Sequence, residues 1–311
     1  MSYFVTGATG FIGRFLVSNL LKRKGTIHVL VRKGSEKKFN AIADSMAWDR
    51  KRVIPVTGDL SKPKLGLTAL QLKALTTKKV LHFFHLAAIY DLSADGPSQQ
   101  VANIDGTKHA IECATAIKAG CFHHTSSIAA AGLYRGIFRE DMFKEAEDLD
   151  NDPYFRTKHE SEGLVRKTCK IPYRIYRPGF VVGHSKTGEM DKIDGPYYLF
   201  TLIKKIRQTL PQWVPTLGIE GGTMNVVPVD YVANAMDHIA HKKGLDKGCF
   251  HLVDPNAMRI GEIMNVFCRA AHAPEMTMRL DARMLAVVPA SVRGAVMNLP
   301  PVKRFSSMLL K

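Results

Sequence analysis

Short apolar runs alternate with amphipathic stretches along the first part of the chain. The runs Tyr3–Thr6, Ile27–Val31, Val53–Val56, Val80–Leu86, Cys121–Thr125 and Ile171–Arg177 have the length of strands covered on both faces. Between them the spacing turns helical. Phe15, Leu16, Leu20 and Leu21 mark one face over Arg14–Lys24, and a second helix is expected from Ile104 to Ala119, stopped by Gly120. Lys62–Lys79 reads as a loop and a basic helix. The rhythm over residues 3–179 predicts an α/β fold: a doubly wound, mostly parallel sheet with right-handed crossovers and helices on both faces.

After Phe180 the pattern loosens. Gly195-Pro196-Tyr197-Tyr198-Leu199-Phe200 is a cluster of breakers and aromatics, Leu199–Leu210 is expected to be helical, and Pro211–Pro215 and Gly221-Gly222 are loop material. Asn225–Asp230 reads as a short strand, Tyr231–Ala240 as a helix and Cys249–Val253 as a strand. From Ile260 the chain reads as helical and apolar, broken by Pro274, Pro289 and Pro300-Pro301. The expected division is a nucleotide-binding domain, residues 1–179 plus about 224–258, and a smaller, mostly helical substrate lobe, about 180–223 plus 259–311. The Met284–Leu310 tail, with its Met, Leu and Val, either covers a lipid-like substrate, touches a membrane surface or completes the smaller lobe.

The ends of the predicted strands carry the chemistry. The first runs into Gly7-Ala8-Thr9-Gly10-Phe11-Ile12-Gly13 and then a helix. Glycines at this spacing let the backbone turn tightly and approach a pyrophosphate, with the helix N-terminus facing the negative charge. The second strand ends in Arg32-Lys33, where NAD-binding sheets carry an acid for the ribose 2′-hydroxyl; a cation pair there suits a 2′-phosphate, hence NADPH, or is plain surface basicity. Asp59, followed by Leu60, either reaches an adenine amino group or caps a helix. Ala87-Ala88 lets a flat cofactor pass, Ser127 puts a hydroxyl at a central strand's carboxyl end, and Pro178 closes the sixth strand beside the cofactor.

Tyr154 and Lys158 lie one turn apart on one helical face, with Asp152 as cap and Pro153 at the first position. A phenol is a poor acid at neutral pH, and a neighbouring ammonium favours the phenolate, so the pair is a usable proton donor. His82 and His85 are three apart on a strand and His123 and His124 are adjacent, so neither pair shares a face and no metal site is expected.

The net charge of +16, from 44 Lys and Arg against 28 Asp and Glu, favours anionic partners such as phosphates or a membrane surface. No groove-reading basic helix or RNA-binding signature points to nucleic acid. The five cysteines form no Cys-x-x-Cys pair, which suits reduced thiols and a cytoplasmic setting, with peripheral membrane association left open. No apolar run approaches the roughly 20 residues that span a bilayer. The strand-like start leaves no room for a signal peptide.

Taken together, the glycine turn, Ser127, Tyr154 and Lys158 resemble an extended short-chain dehydrogenase/reductase, a Rossmann-type family, over residues 1–260. The resemblance implies that Ser127, Tyr154 and Lys158 are catalytic and that Gly7, Thr9, Gly10, Phe11, Ile12 and Gly13 hold the cofactor. It also matches Asn103 to a family asparagine that precedes the helix after the fourth strand, and gives Lys158 a second role on the nicotinamide ribose. Phe4–Leu16, Ser126–Leu133, Gly188–Lys192 and Pro211–Thr216 further resemble the N-terminal domain of two-domain bacterial fatty acyl-CoA reductases. That implies NADPH as cofactor, a fatty aldehyde or fatty acyl-CoA as substrate, and a second reductase domain following Lys311. A sugar epimerase is disfavoured by Arg32, and a non-catalytic NADP-binding sensor by the intact Tyr-Lys pair.

Overall fold

A computed structural model of the chain describes residues 2–88, 96–191, 197 and 199–281. In chain order the elements of its first part are β1 (Ser2–Thr6), α1 (Phe11–Leu21), β2 (Thr26–Val31), α2 (Glu36–Ser45), β3 (Val53–Thr57), α3 (Ala69–Thr77) and β4 (Val80–His85). There follow α4 (Gly96–Gln99), a π-helical turn at Gln100–Asp105, α5 (Gly106–Ala116), β5 (Cys121–Thr125), α6 (Pro153–Thr168), β6 (Tyr173–Pro178) and β7 (Phe180–Val182). The remainder comprises α7 (Phe200–Thr209), β8 (Thr216–Glu220), β9 (Thr223–Met224), β10 (Val226–Pro228), α8 (Val229–His241), β11 (Cys249–Leu252), β12 (Met258–Arg259), α9 (Ile260–Ala270) and β13 (Met276–Asp281).

Seven of these strands form one sheet in the order β11-β6-β5-β4-β1-β2-β3, and every pairing is parallel. The order reverses between β1 and β4, which opens the crevice where open α/β sheets bind ligands. Period-two alternation divides the strands' side chains between two cores. Tyr3, Val5, Val29 and Phe84 face α1, α2 and α8, through Leu16, Leu20, Phe39, Val232 and Met236. Phe4, Phe83, Phe122 and Ile175 face α3, α5 and α6, through Leu75, Ala110, Ile111 and Val165. Both faces are covered, so the strands read as near-continuous apolar runs.

The chain divides into two compact units, Met1–Asp191 with Val227–Leu252, and Lys192–Val226 with Val253–Lys311. The first holds the sheet. In the second, β13 pairs in parallel with β8 and β12 pairs antiparallel with β9. Two expectations are corrected. Among the described residues after Ile260, helix α9 ends at Ala270 and Met276–Asp281 is a strand, because the every-second-residue spacing of Met276, Met278 and Leu280 is a strand's period and β8 supplies its partner. Asn103 does not begin a helix: the helical stretch starts at Gly96 and Asn103 lies in the π turn inside it. The expected tail, Met284–Leu310, lies outside the described residues, as do Gly195, Pro196 and Tyr198 of the aromatic cluster.

The first unit buries His28, His85, His123 and His124 and half-buries His82, His241 and His251. His82 Nδ1 lies 3.0 Å from His123 Nε2, and His123 Nδ1 lies 2.9 Å from the Tyr176 hydroxyl. His85 sits between the Thr6 and Thr107 hydroxyls at 2.8 and 3.1 Å. Both ring nitrogens of buried His124 lack a hydrogen-bond partner. Burial pushes the imidazoles down, His82 to about 4 and His124 to about 3, with His28, His85, His123, His241 and His251 moving the same way. Below an unfolded value near 6.5 the unfolded chain therefore binds protons that the folded chain refuses, and stability falls as pH falls. A fully buried group such as His124 contributes about 1.4 kcal/mol per pH unit in that window. Thermal denaturation is expected to show a melting temperature that drops steeply between pH 7 and pH 5, and a shallower drop in His124→Leu. An unchanged slope in the variant would remove His124 from this account.

Candidate active site

Because the sheet is parallel, the carboxyl ends of its strands share one edge, and the sequence-predicted positions collect there. β1 delivers Gly7, β2 delivers Arg32, β3 is followed by Asp59 and Leu60, β4 by Ala87 and Ala88, β5 by Ser126 and Ser127, and β6 ends in Pro178.

The glycine turn is tight for a stated reason at two of its positions. Gly7 has φ +72°, and a Cβ there would lie 2.6 Å from the Ala87 backbone nitrogen. A Cβ on Gly13 would lie 2.1 Å from the Gly7 carbonyl oxygen, so strand, turn and helix close without a side chain between them. Gly10 donates its N–H to the Gly7 carbonyl at 3.0 Å and caps α1 with no side-chain bond, and the first turn of α1 carries no acid. The helix N-terminus therefore keeps its partial positive charge and its N–H groups for an anion. Thr9, Phe11 and Ile12 are half-buried in this turn. A dinucleotide pyrophosphate fits such a cradle. Arg14, next along α1, is engaged by Glu189 and Asp191 at 3.5 Å each, which ties Gly188–Asp191 to this helix.

Arg32 and Lys33 are exposed at the end of β2. Asp59 accepts from the Ser61 N–H and hydroxyl at 2.9 and 2.8 Å. Those two bonds hold its carboxyl below the usual range, assisted by Lys62 and Arg32. Asp59 thus closes a local turn and lies within the field of Arg32. Leu60 packs against Gly106 of α5, where a Cβ would meet Leu60 at 2.8 Å. Ala87 donates its N–H to the Thr6 hydroxyl at 3.3 Å, which holds the β4 exit against β1.

Helix α6 starts as its sequence demands: the Asp152 carboxylate accepts the Tyr154 N–H at 2.8 Å and Pro153 occupies the first turn. Lys158 is buried, with its Nζ 5.8 Å from the centre of the Tyr154 ring and 3.4 Å from the Thr125 carbonyl. Burial pushes its ammonium down to about 8. Ser127 Oγ accepts the Ala129 N–H at 3.2 Å, which leaves its own O–H to donate elsewhere. His159 bonds the Ala130 carbonyl at 2.9 Å, so α6 lies along both β5 and the turn that follows Ser127. Asn103, 2% exposed, donates to the Thr157 hydroxyl at 3.2 Å, so it braces α6 from the π turn. Among the described residues no cluster of His, Cys, Asp and Glu could hold a metal ion, and no helix is long and apolar enough to cross a membrane.

Sequence reasoning missed the polar core behind this helix. Glu162 and Arg177 are both fully buried and paired, Arg177 Nε donating to Glu162 Oε2 at 3.0 Å and Nη2 to Oε1 at 2.6 Å. A signal was present: Tyr154, Lys158 and Glu162 are each four apart, which marks one stripe of one helix.

Comparison with known proteins agrees with this architecture. The NAD-binding family described as "Male sterility protein" matches residues 5–236. The chain is 29% identical over 272 residues to the non-canonical nonribosomal peptide synthetase hkm10 of Aspergillus hancockii, covering 81% of this chain and 26% of that protein. It is 30% identical over 274 residues to aldehyde reductase lnaA of Aspergillus flavus, covering 81% and 26%. The chain thus spans about a quarter of the length of these relatives. Among solved structures, the terminal R domain of the myxalamid PKS-NRPS pathway superimposes with a TM-score of 0.78 at 26% identity, covering 100% of this chain and 78% of that one. The reductase domain of a nonribosomal peptide synthetase from Mycobacterium tuberculosis does so with 0.72 at 21% identity, covering 99% and 80%. Glycine turn, all-parallel sheet and match over residues 5–236 lead to one conclusion: the chain belongs to this "Male sterility protein" family, as an NAD(P)-binding reductase domain of the extended short-chain dehydrogenase/reductase type.

Proposed function

We propose that this chain is an NADPH-dependent reductase that converts a long-chain fatty aldehyde to the alcohol. The observation that carries the reading is the Tyr154–Lys158 pair on α6, with Lys158 buried and bonded to the end of the strand that bears Ser127. In this reading the Ser127 hydroxyl and the Tyr154 phenol bond the carbonyl oxygen as negative charge develops on it. Tyr154 gives that oxygen its proton, and the Lys158 ammonium favours the phenolate left behind. Bound NADPH supplies the hydride that the carbonyl carbon receives. Arg32 with Lys33 would hold the 2′-phosphate, Asp59 and Leu60 would flank the adenine, and Ala87, Ala88 and Pro178 would line the cofactor's path. The fatty chain is supported by the resemblance of Gly188–Lys192 and Pro211–Thr216 to fatty acyl-CoA reductases, and aldehyde reduction by the similarity to lnaA. A second reductase domain would supply the other reduction.

A second reading, reduction of a fatty acyl-CoA thioester to the aldehyde by these same residues, is favoured by the similarity to reductase domains of peptide synthetases. Purified protein is expected to oxidise NADPH with a long-chain aldehyde and not with the acyl-CoA; the opposite result installs the second reading. Tyr154→Phe is expected to lower kcat by roughly 10²–10⁴-fold. Full turnover in that variant would remove Tyr154 as the proton donor; a wild type that binds NADPH and turns over no carbonyl would instead favour a non-catalytic cofactor sensor.

Lys158 carries its charge below about 8 and loses it above. Since kcat/KM reports the free enzyme, kcat/KM for NADPH should fall as pH rises through that value. A profile flat to pH 10 would exclude a role for the charged lysine. Arg32→Glu is expected to cut the preference for NADPH over NADH by about 10-fold or more, the worth of one charge-assisted bond to phosphate; an unchanged ratio would place the phosphate elsewhere.

A further inference from the structure

The Tyr154–Lys158 stripe of α6 continues to Glu162, a residue that the proposed chemistry does not use. Its carboxylate is fully buried, yet every bonding direction is filled. Oε2 accepts from Ser126 Oγ at 2.8 Å and Arg177 Nε at 3.0 Å; Oε1 accepts from Arg177 Nη2 at 2.6 Å and Arg166 Nε at 2.9 Å. Burial alone would raise its pKa, but the bonds and charge of Arg177, with Arg166 and Ser126, hold it below the usual value. Arg177 donates in turn to the carbonyls of Met142 at 2.9 Å and Arg139 at 3.4 Å, so the segment between Ser127 and Tyr154 is pinned to the same pair.

The position of Ser126 gives this cluster its consequence. β5 ends at Thr125, and the chain from there is bonded to α6 at two successive positions: the Thr125 carbonyl accepts from Lys158 and the Ser126 hydroxyl donates to Glu162, with Ser127 following directly. The Lys158 contact is long at 3.4 Å, and the Ser126 contact is a short, charge-assisted bond. Of these two ties the firmer runs through Ser126 to the buried carboxylate, and the His159–Ala130 bond at 2.9 Å holds the chain beyond Ser127 to the same helix. A residue with its backbone fixed on one side cannot swing its neighbour freely, so the tie limits where the Ser127 hydroxyl sits relative to Tyr154.

We propose that Ser126 and Glu162 are positioning residues of the reductive step: the Glu162–Arg177 pair, acting through the Ser126 hydroxyl, sets the separation of Ser127 from Tyr154. The inference rests on the assignment of Ser127 and Tyr154 to the substrate carbonyl. Ser126→Ala tests it while keeping the ion pair intact. Its kcat with whichever carbonyl substrate the wild type reduces should fall on the order of 10-fold, less than the roughly 10²-fold that a 1 Å misplacement costs. KM for NADPH should stay near the wild-type value, while the melting temperature should fall by a few degrees, as the loss of one charge-assisted bond to a buried carboxylate requires. In a Ser127→Ala background the same substitution should change kcat by less than about twofold, because residues acting as one unit are not additive.

Equal losses in both backgrounds, or an unchanged kcat in Ser126→Ala, would overturn the positioning role and leave the Ser127–Tyr154 reading standing. A loss carried by KM for NADPH and stability alone would overturn it in favour of a purely structural bond. A wild type that reduces neither aldehyde nor thioester would remove the functional reading itself, and this inference with it.

Discussion

Hydrogen bonds from Ser126, Arg166 and Arg177 converge on the buried carboxylate of Glu162, and the geometry of the candidate site depends on them. Two unpaired charges at full burial would be untenable; breaking such a pair by removing one partner costs about 3–5 kcal/mol. The pair is held because each member is saturated, and what it holds is α6 against the end of β5. Tyr154, Lys158 and Ser127 are thus presented from two elements that share a rigid joint, where flexible loops alone would leave them loose.

The second constraint is the direction of the strands. Parallel pairing requires a crossover between neighbours, and crossovers leave every carboxyl end on one edge. Gly7, Arg32, Asp59, Ala87, Ser127 and Pro178 are scattered over most of the first unit's length, and the single edge gathers them. The glycine turn adds its own requirement at Gly7 and Gly13, where any side chain would strike backbone. The glycine turn and the Tyr154–Lys158 pair are therefore both placed by the same sheet.

Much of this is legible in the amino-acid sequence. The strands of the sheet are marked by apolar runs, and α6 by Asp152 and Pro153, whose local chemistry forces a helix start wherever the chain goes. Local rules fail where a neighbour decides. Met276–Asp281 carries a strand's period over six residues only, too short to stand out from the helical stretch before it, and pairing with β8 completes the strand. Asn103 sits in a π turn and its side chain reaches Thr157 of another helix, a partner far along the chain. Imidazoles that look like scattered polar residues prove to be buried between hydroxyls and other rings, as His85 is between Thr6 and Thr107.

The sequence by itself determined the glycine turn, the strand–helix rhythm and the Tyr154–Lys158 spacing, because each is a property of residues a few positions apart, and their order along the chain carried the extended short-chain dehydrogenase/reductase type. Only the tertiary structure decided that Lys158 is buried and its ammonium weakened to about 8, and that Asp59 closes a turn with Ser61. It alone joined Glu162 to Ser126 and Arg177. Desolvation and buried pairing arise from groups that the fold brings together from distant segments, and no local pattern encodes which groups those will be.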